Sequence, residues 1–110
     1  MLTRLAVVIA LALPGAAHAT LGKQETCALQ GDMVSQIQQA RINRVAKDKV
    51  VPQLMAANPD WPASVETAMP GLVAWIYEQR RRDLRKVELG PTVQQQCLDN
   101  WDQLKNLSGS

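Results

Sequence analysis

The densest group of charged side chains in this sequence is the run from Glu78 to Lys86, with five basic and two acidic residues in nine positions. Such a run attracts anions. Two aromatic residues one turn upstream could stack on a bound group. The candidate interaction surface is therefore Trp75, Tyr77, Arg80, Arg81, Arg82, Arg85 and Lys86. The plainer interpretation is a solvated helix C-terminus, where the helix dipole favours cations and the two acids partly neutralise the run.

Three arginines fall within apolar helix faces: Arg41 and Arg44 in the first predicted helix, and Arg80 in a later one. We expect their stems to cover apolar surface while the guanidinium groups reach water. Two alternatives stay open. The arginines could pair internally with acids, since an unpaired buried charge is costly. They could also converge in a cleft that takes a carboxylate or phosphate in bidentate fashion.

The first nineteen residues have the pattern of a secretory signal peptide. Arg4 supplies a positive charge, Leu5 to Leu13 form an unbroken apolar run of nine, and Ala17-His18-Ala19 offers a cleavage site. This run is less than half of the roughly 20 apolar residues that a membrane-spanning helix needs. We expect residues 20–110 to be released after Ala19 as one soluble domain, in a bacterial periplasm or outside the cell.

Cleavage there would leave 11 basic and 10 acidic side chains and no histidine. Histidine is the commonest general base and metal ligand near neutral pH, so histidine-dependent hydrolysis and histidine-bound metals are excluded for such a chain. Two cysteines cannot form a four-ligand zinc site. The acids are too scattered to favour glycoside cleavage by paired carboxylates. We therefore expect no enzyme, no catalytic residue, no metal and no cofactor.

The two cysteines, Cys27 and Cys97, indicate a disulfide in an oxidising compartment. A crosslink between residues 70 positions apart restricts the unfolded chain, which in the loop-closure model is worth about 4 kcal/mol. That is comparable to the whole stability of a small domain. A redox pair usually shows Cys-x-x-Cys spacing, which is absent, so we predict a structural bond.

Apolar residues recur at helical spacing along the expected mature chain, and no alternating run of β-branched residues suggests a strand. We predict an all-α fold, a compact bundle of four to five short helices whose first and last helices are joined by the disulfide. The predicted helices span residues 24–45, 48–57, 62–68, 70–82 and 91–107. Met69-Pro70 either kinks the third or starts the fourth. Glutamines such as Gln36, Gln38 and Gln39 indicate polar, exposed helix sides.

Two tryptophans outside the basic run are expected to pack. Trp101 follows Cys97 by one helical turn, which predicts a core position. Trp61 lies in the proline-rich turn 58–62, where it either plugs the end of the bundle or stands exposed as an interface anchor. We favour the plug.

The signal peptide, the cysteine in the first helix, the segment MPGLVAWIYEQRRRDLR and the closing segment CLDNWDQL together resemble small secreted two-cysteine helical proteins of bacteria. That resemblance implies no activity. The segment NWDQLK is similar to the final helix of periplasmic acid chaperones of the HdeA type. Cys97-Leu98-Asp99 resembles an element near the C-terminus of helical immunity proteins against secreted cell-wall amidases. Neither likeness transfers a functional residue.

We predict that the protein acts by binding another macromolecule, as an inhibitor, an immunity-like partner or an envelope accessory protein, without turnover. The basic run favours a protein partner with an acidic surface. Nucleic acid is disfavoured for an exported chain of nearly zero net charge. Membrane surfaces usually attract four to eight basic residues without interspersed acids, so that contact is weak here. The alternative is an HdeA-type acid chaperone that expands when its carboxylates lose their charge.

Overall fold

The computed structural model describes residues 22–103, and within that range the chain is helical with no strand. The helices are α1 (Lys23–Ile42), α2 (Lys47–Ala57), α3 (Ala63–Tyr77), α4 (Arg81–Leu84) and α5 (Leu89–Asp99). Residues 101–103 begin a sixth helix, α6. The all-α prediction is confirmed. The predicted number of four to five helices is wrong.

The sixth helix arises because the segment predicted as one helix over 91–107 is broken at Asn100. The two helices predicted over 62–68 and 70–82 are also present, as α3 and α4, but with different boundaries. α3 runs without interruption through Pro70, so Pro70 starts no new helix. Pro70 removes one backbone hydrogen bond from the helix. Packing compensates for this loss, because Val65, Met69 and Val73 on either side of the proline form one buried stripe. α3 ends at Tyr77, and the chain is extended at the α4 N-cap, Arg80. The basic run therefore occupies a turn and α4, not the C-terminus of a long helix.

Cys27 of α1 and Cys97 of α5 form the predicted disulfide, with Cα atoms 5.4 Å apart. Both residues are buried, so the bond joins the two helices through their packed sides as expected. The prediction that it joins the first and last helices is wrong. α5 ends at Asp99, and the Asn100 side-chain amide donates to the Gln96 carbonyl oxygen at 2.9 Å. Because the helix ends before Trp101, the one-turn spacing from Cys97 does not predict its position. Trp101 is half-buried and does not lie in the core.

α1 and α5 approach closely at two glycines. A Cβ atom on Gly31 would lie 2.9 Å from the Gly90 carbonyl oxygen, and one on Gly90 would lie 2.7 Å from the Gly31 carbonyl oxygen. Both distances are shorter than packed atoms tolerate, so a larger residue at either position would separate the helices. Gly90 belongs to the first turn of α5, which begins at Leu89, two residues before the predicted start at Pro91.

The apolar core lies between α1 and the helices packed around it, α2, α3 and α4. Its buried members are Met33, Val34, Ile37, Ala40, Val50, Leu54, Trp61, Val65, Met69, Val73, Ile76 and Leu84. Trp61 is only 8% exposed, which confirms that it plugs the bundle. Leu84 is 1% exposed and fastens the four-residue helix α4 to the core.

Gln38, expected on an exposed polar side of α1, is buried instead. Its Nε2 donates to the carbonyl oxygens of Leu84 at 2.7 Å and Val87 at 2.8 Å. Its Oε1 accepts the Leu89 backbone N–H at 3.1 Å. One side chain of α1 thus holds the end of α4, the following turn and the start of α5. The cost of burying its amide group is offset by these hydrogen bonds, all of which are to the backbone.

The predicted signal peptide, its cleavage site after Ala19 and the predicted C-terminal end of the last helix, including Leu104, lie outside the described residues. No helix within residues 22–103 has the length and apolarity needed to cross a membrane.

Replacing Gln38 with alanine should lower the free energy of unfolding by about 2–3 kcal/mol, because the buried carbonyl group of Leu84 and the part-buried carbonyl of Val87 and N–H of Leu89 lose their partner. The matched control is Gln39→Ala. The Gln39 side chain is exposed, so this substitution should change the free energy of unfolding by less than about 0.5 kcal/mol. Urea unfolding of the oxidised proteins measures both. Faster hydrogen exchange at the Leu89 amide should accompany the loss, and equal stability of the two variants would contradict the anchoring role.

Candidate functional site

Arg80 is an exposed part of the predicted basic surface and is already paired. Its Nε lies 3.3 Å from Asp83 Oδ2, with the side chains 73% and 52% exposed. Such surface pairs contribute little stability. Because α3 ends before Arg80, its side chain does not lie in the apolar stripe that the longer predicted helix implied.

Arg81 begins α4 and is half-buried. Its Nε is buried and donates to no acceptor within the described residues. Arg85 follows four residues later, so the two side chains project from the same side of this short helix. Leu84, adjacent to Arg85, is anchored in the core and fixes which side of α4 they occupy.

Arg41, near the end of α1, lies against the α3–α4 turn. Its Nε and Nη2 donate to the Gln79 carbonyl oxygen at 3.2 and 3.1 Å, and its guanidinium carbon lies 5.3 Å from the centre of the Tyr77 ring. The Tyr77 hydroxyl in turn donates to the Val45 carbonyl oxygen at 2.8 Å. We expected Arg41 simply to reach water, but hydrogen bonds and a cation–π contact hold its guanidinium in place.

Tyr77 is half-buried, and burial raises the pKa of its hydroxyl, an effect that the positive charge of Arg41 partly opposes. The hydroxyl therefore stays protonated and can donate to Val45 at neutral pH. Tyr77 thus serves to position Arg41 and to hold the α1–α2 turn, which differs from the stacking role that the sequence suggested.

Arg44 occupies an unusual backbone position at the end of α1. Its φ is +66°, the only positive value at a non-glycine residue in the described chain. The Val45 N–H donates to the Ala40 carbonyl oxygen and the Arg44 N–H to the Arg41 carbonyl oxygen, the bonding pattern of a Schellman helix end. Glycine is the usual residue at that position, because a side chain disfavours the left-handed conformation.

These side chains share one electrostatic neighbourhood. The pKa of the Arg81 guanidinium is lowered, first by the positive charge of Arg44, then by burial, and then by the charges of Arg41 and Arg85. We call Arg41, Arg44, Arg81 and Arg85 the arginine cluster. Within residues 22–103 the one ion pair joins Arg80 to Asp83, so no carboxylate neutralises the cluster. The internal pairing considered for Arg41 and Arg44 is therefore not what the structure has.

The structure brings together only part of the predicted surface. Tyr77 and Arg81 lie near the end of α1, whereas Trp75 is 44% exposed and projects about 200° around α3 from Tyr77. Arg82 is exposed and lies about 100° around α4 from Arg81, and Lys86 is exposed in the turn that follows α4. No sequence pattern pointed to Gln79, whose backbone oxygen holds Arg41 and whose side-chain Nε2 is buried without an acceptor in the described chain.

The cluster offers many N–H donors and few acceptors, which suits an oxyanion. No group of three or more histidine, cysteine, aspartate or glutamate side chains within the described range is placed to hold a metal ion. A separate depression of about 450 Å³ lies against α2 and α3, lined by Lys47, Asp48, Val51, Pro70 and Val73. Its lining is mostly apolar and brings no reactive groups together.

Comparison of the chain with protein-family models, curated proteins and solved structures finds no significant match. With no relative to compare, the role of the arginine cluster follows from its own contacts and charge.

Arg44→Gly should unfold at higher urea concentration than Arg44→Ala, with a free energy of unfolding larger by about 1 kcal/mol, because glycine relieves the left-handed strain. Both substitutions remove the same charge, so their difference isolates the backbone. Equal stability of the two variants would contradict the left-handed conformation at this residue.

Proposed function

We propose that this protein is an exported binding protein that recognises an acidic surface of another protein through the face around the arginine cluster. It acts without turnover, as an inhibitor, an immunity-like partner or an envelope accessory protein. The proposal is supported most by Arg81, whose guanidinium pKa is lowered by the charges of Arg44, Arg41 and Arg85, while the one ion pair of the described chain joins Arg80 to Asp83.

A cluster of this kind costs the folded protein stability through repulsion between like charges. Protein partners commonly exploit such charge: guanidinium groups bind carboxylates in bidentate geometry, and arginine and tyrosine are enriched among residues that dominate binding energy. Arg41 is already held by the Gln79 carbonyl oxygen and the Tyr77 ring. Less side-chain freedom is then lost on binding.

The environment of the cluster favours a protein over nucleic acid or a membrane. The Arg80–Asp83 pair lies directly beside it, and Glu78 and Glu88 are exposed on either side along the chain. These acids interrupt the positive potential that an extended polyanion or an anionic bilayer would need. A protein surface can place its carboxylates to match the arginines and avoid the acids.

An exported location is supported by the apolar N-terminal pattern and by the disulfide. Disulfides persist in oxidising compartments and are rare where thiols are kept reduced. The Cys27–Cys97 bond is buried on both sides, as expected of a structural crosslink.

The experiment is affinity capture from envelope extract at neutral pH and about 0.15 M salt, near the ionic strength at which screening is physiological. The baits are the disulfide-intact chain from residue 20 onward, a triple variant with Arg81, Arg82 and Arg85 changed to glutamate, and a control with Lys23, Lys47 and Lys49 changed to glutamate. All three lysines are exposed and lie outside α4. Both variants therefore have the same net charge.

We expect a stoichiometric partner that the parent and the lysine control retain and the arginine variant loses. The purified partner should bind more slowly as salt rises, because electrostatic attraction accelerates association. Circular dichroism of each bait confirms that it is folded. A partner retained equally by the arginine variant, or lost equally from both variants, would contradict the assigned surface.

A further inference from the structure

We infer that the outer surface of α2 and α3 is the contact surface of a weak two-fold dimer, in which the partner is a second copy of this chain. This inference goes beyond the proposed function, because it concerns neither the arginine cluster nor a partner of another kind. It stands on an apolar surface that the other helices within residues 22–103 leave uncovered, on a cavity within that surface and on charges of opposite sign at its two ends.

α3 is apolar on its outer side as well as on its packed side. Glu66 is the only charged residue among the fifteen. Gly71 and Trp75 lie on the side away from the core and are exposed, Trp75 by 44%. The side that faces the core consists of Val65, Met69, Val73 and Ile76. A solvated helix side normally carries charged residues, and a helix that is apolar all round is normally buried, so α3 has the composition of a helix that is covered on both sides.

The apolar surface continues from α3 onto α2. The cavity of about 450 Å³ between the two helices is lined by Val51 of α2 and by Pro70 and Val73 of α3, among others. Met55 follows Val51 by one turn, lies on the same side of α2 and is 39% exposed. An exposed apolar surface with a cavity in it is typical of an interaction site. We call this surface the α2–α3 face, with the members Val51, Met55, Pro70, Gly71 and Trp75.

α2 and α3 run antiparallel along this face. Lys47, in the first turn of α2, lines the same cavity as Val73 in the second half of α3. The Tyr77 hydroxyl at the end of α3 donates to the Val45 carbonyl oxygen just before α2. The start of α2 and the end of α3 therefore form one end of the face, and the turn 58–62 that joins the two helices forms the other.

The two ends of the α2–α3 face carry charge of opposite sign. At the end formed by the start of α2 and the end of α3, residues 47–49 and 78–83 carry five basic and three acidic side chains. At the other end, residues 57–66 carry two acidic side chains, Asp60 and Glu66, and no basic one. The face therefore has a basic end and an acidic end on either side of its apolar middle.

This distribution of charge is complementary to itself. A two-fold axis brings the same surface of two copies together. When the axis passes near Gly71, α3 of one copy runs antiparallel to α3 of the other, and the acidic end of each copy meets the basic end of its partner. Both end contacts are then attractive. A membrane or another surface of uniform charge would be attracted at one end and repelled at the other, which favours a second copy as the occupant.

The shape of the face agrees with the same arrangement. Trp75 lies four positions after Gly71, so in an antiparallel pair it is opposite the residues three to four positions before Gly71, Thr67 and Ala68, whose side chains are small. A Cβ atom added to Gly71 would meet no atom outside its own part of the helix within 4 Å, so the middle of the face is open. A tryptophan side chain from each copy can therefore pack over the small residues of the other.

The size of the face sets the strength of the dimer. α3 has 15 residues. It is therefore about 22 Å long, and packed helix axes lie about 9 Å apart, so the face of the two helices covers roughly 400 Å². A standard stable interface buries about 800 Å² on each partner. We therefore expect a dimer that forms reversibly, with a dissociation constant of about 10–100 μM.

The test is sedimentation equilibrium of the disulfide-intact chain from residue 20 onward, from about 5 to about 500 μM, a range that spans the expected dissociation constant. Gly71→Arg should weaken the dimer at least about tenfold, because it places a charge at the centre of the contact. This variant stays folded, since the position is open and arginine favours a helix more than glycine does. Gln39→Arg adds the same charge at an exposed position of α1 and should change the dissociation constant less than about twofold.

A mixing experiment tests the alignment of the two ends. Asp60→Lys combined with Glu66→Gln makes both ends of the face basic, and Lys47→Glu combined with Lys49→Glu makes both ends acidic. Each double variant alone should dimerise about threefold or more weakly than the parent, because like charges meet at both ends. An equimolar mixture of the two should dimerise about as tightly as the parent, because basic ends again meet acidic ends.

Three results would overturn the inference. The first is a chain that stays monomeric over the whole concentration range. The second is a dimer that Gly71→Arg leaves intact or that Gln39→Arg weakens equally. The third is a mixture of the two charge variants that dimerises no better than either variant alone. Circular dichroism of each variant confirms that it is folded.

Discussion

The side chain of Gln38 joins three segments of the chain, and the position of α4 depends on it. From the buried face of α1 it binds the carbonyl oxygens of Leu84 and Val87 and the N–H of Leu89. α4 has only four residues and could not persist alone, because an isolated helix of that length is unstable in water. Its geometry comes from the buried Leu84 side chain and from these hydrogen bonds. The side on which Arg81 and Arg85 project is therefore fixed from α1.

The C-terminal end of α1 and the turn after it supply the other two members of the arginine cluster, Arg41 and Arg44. α1 is held to α5 by the disulfide and by the close approach of Gly31 to Gly90, so its C-terminal end has a fixed relation to the rest of the bundle. Arg41 and Arg44 at that end face the turn that leads into α4. The disulfide, the close approach of α1 to α5 and the burial of Leu84 are favourable in themselves, and they bring these positive charges together. Their repulsion is an energetic cost that a bound anion would reduce.

Residue periodicity was sufficient to predict the helical class. The pair of cysteines in an expected oxidising compartment predicted the disulfide, and the proline-rich turn around Trp61 predicted its burial. Periodicity could not locate the end of α3, and the burial of Leu84 in the separate helix α4 is a tertiary contact that the local sequence does not reveal. Gln38 has the same polarity as its exposed neighbours, and only the backbone groups that surround it explain its burial. All four arginines of the cluster were candidates from the sequence, but the sequence assigned them to two separate groups. Arg81 and Arg85 stand in a conspicuous basic run, but Arg41 and Arg44 are some 40 residues away and join them through tertiary packing.

The most direct test of this account is a double-mutant cycle between Arg44 and Arg81, measured as urea unfolding of the oxidised Arg44→Gln, Arg81→Gln and doubly substituted proteins. If the two guanidinium groups repel one another, each single substitution removes the same repulsion, so the double variant should gain less stability than the two single gains added together. Raising the salt concentration should weaken that coupling, because salt screens interactions between exposed charges. Additive effects, with no response to salt, are typical of independent sites and would contradict the existence of the cluster.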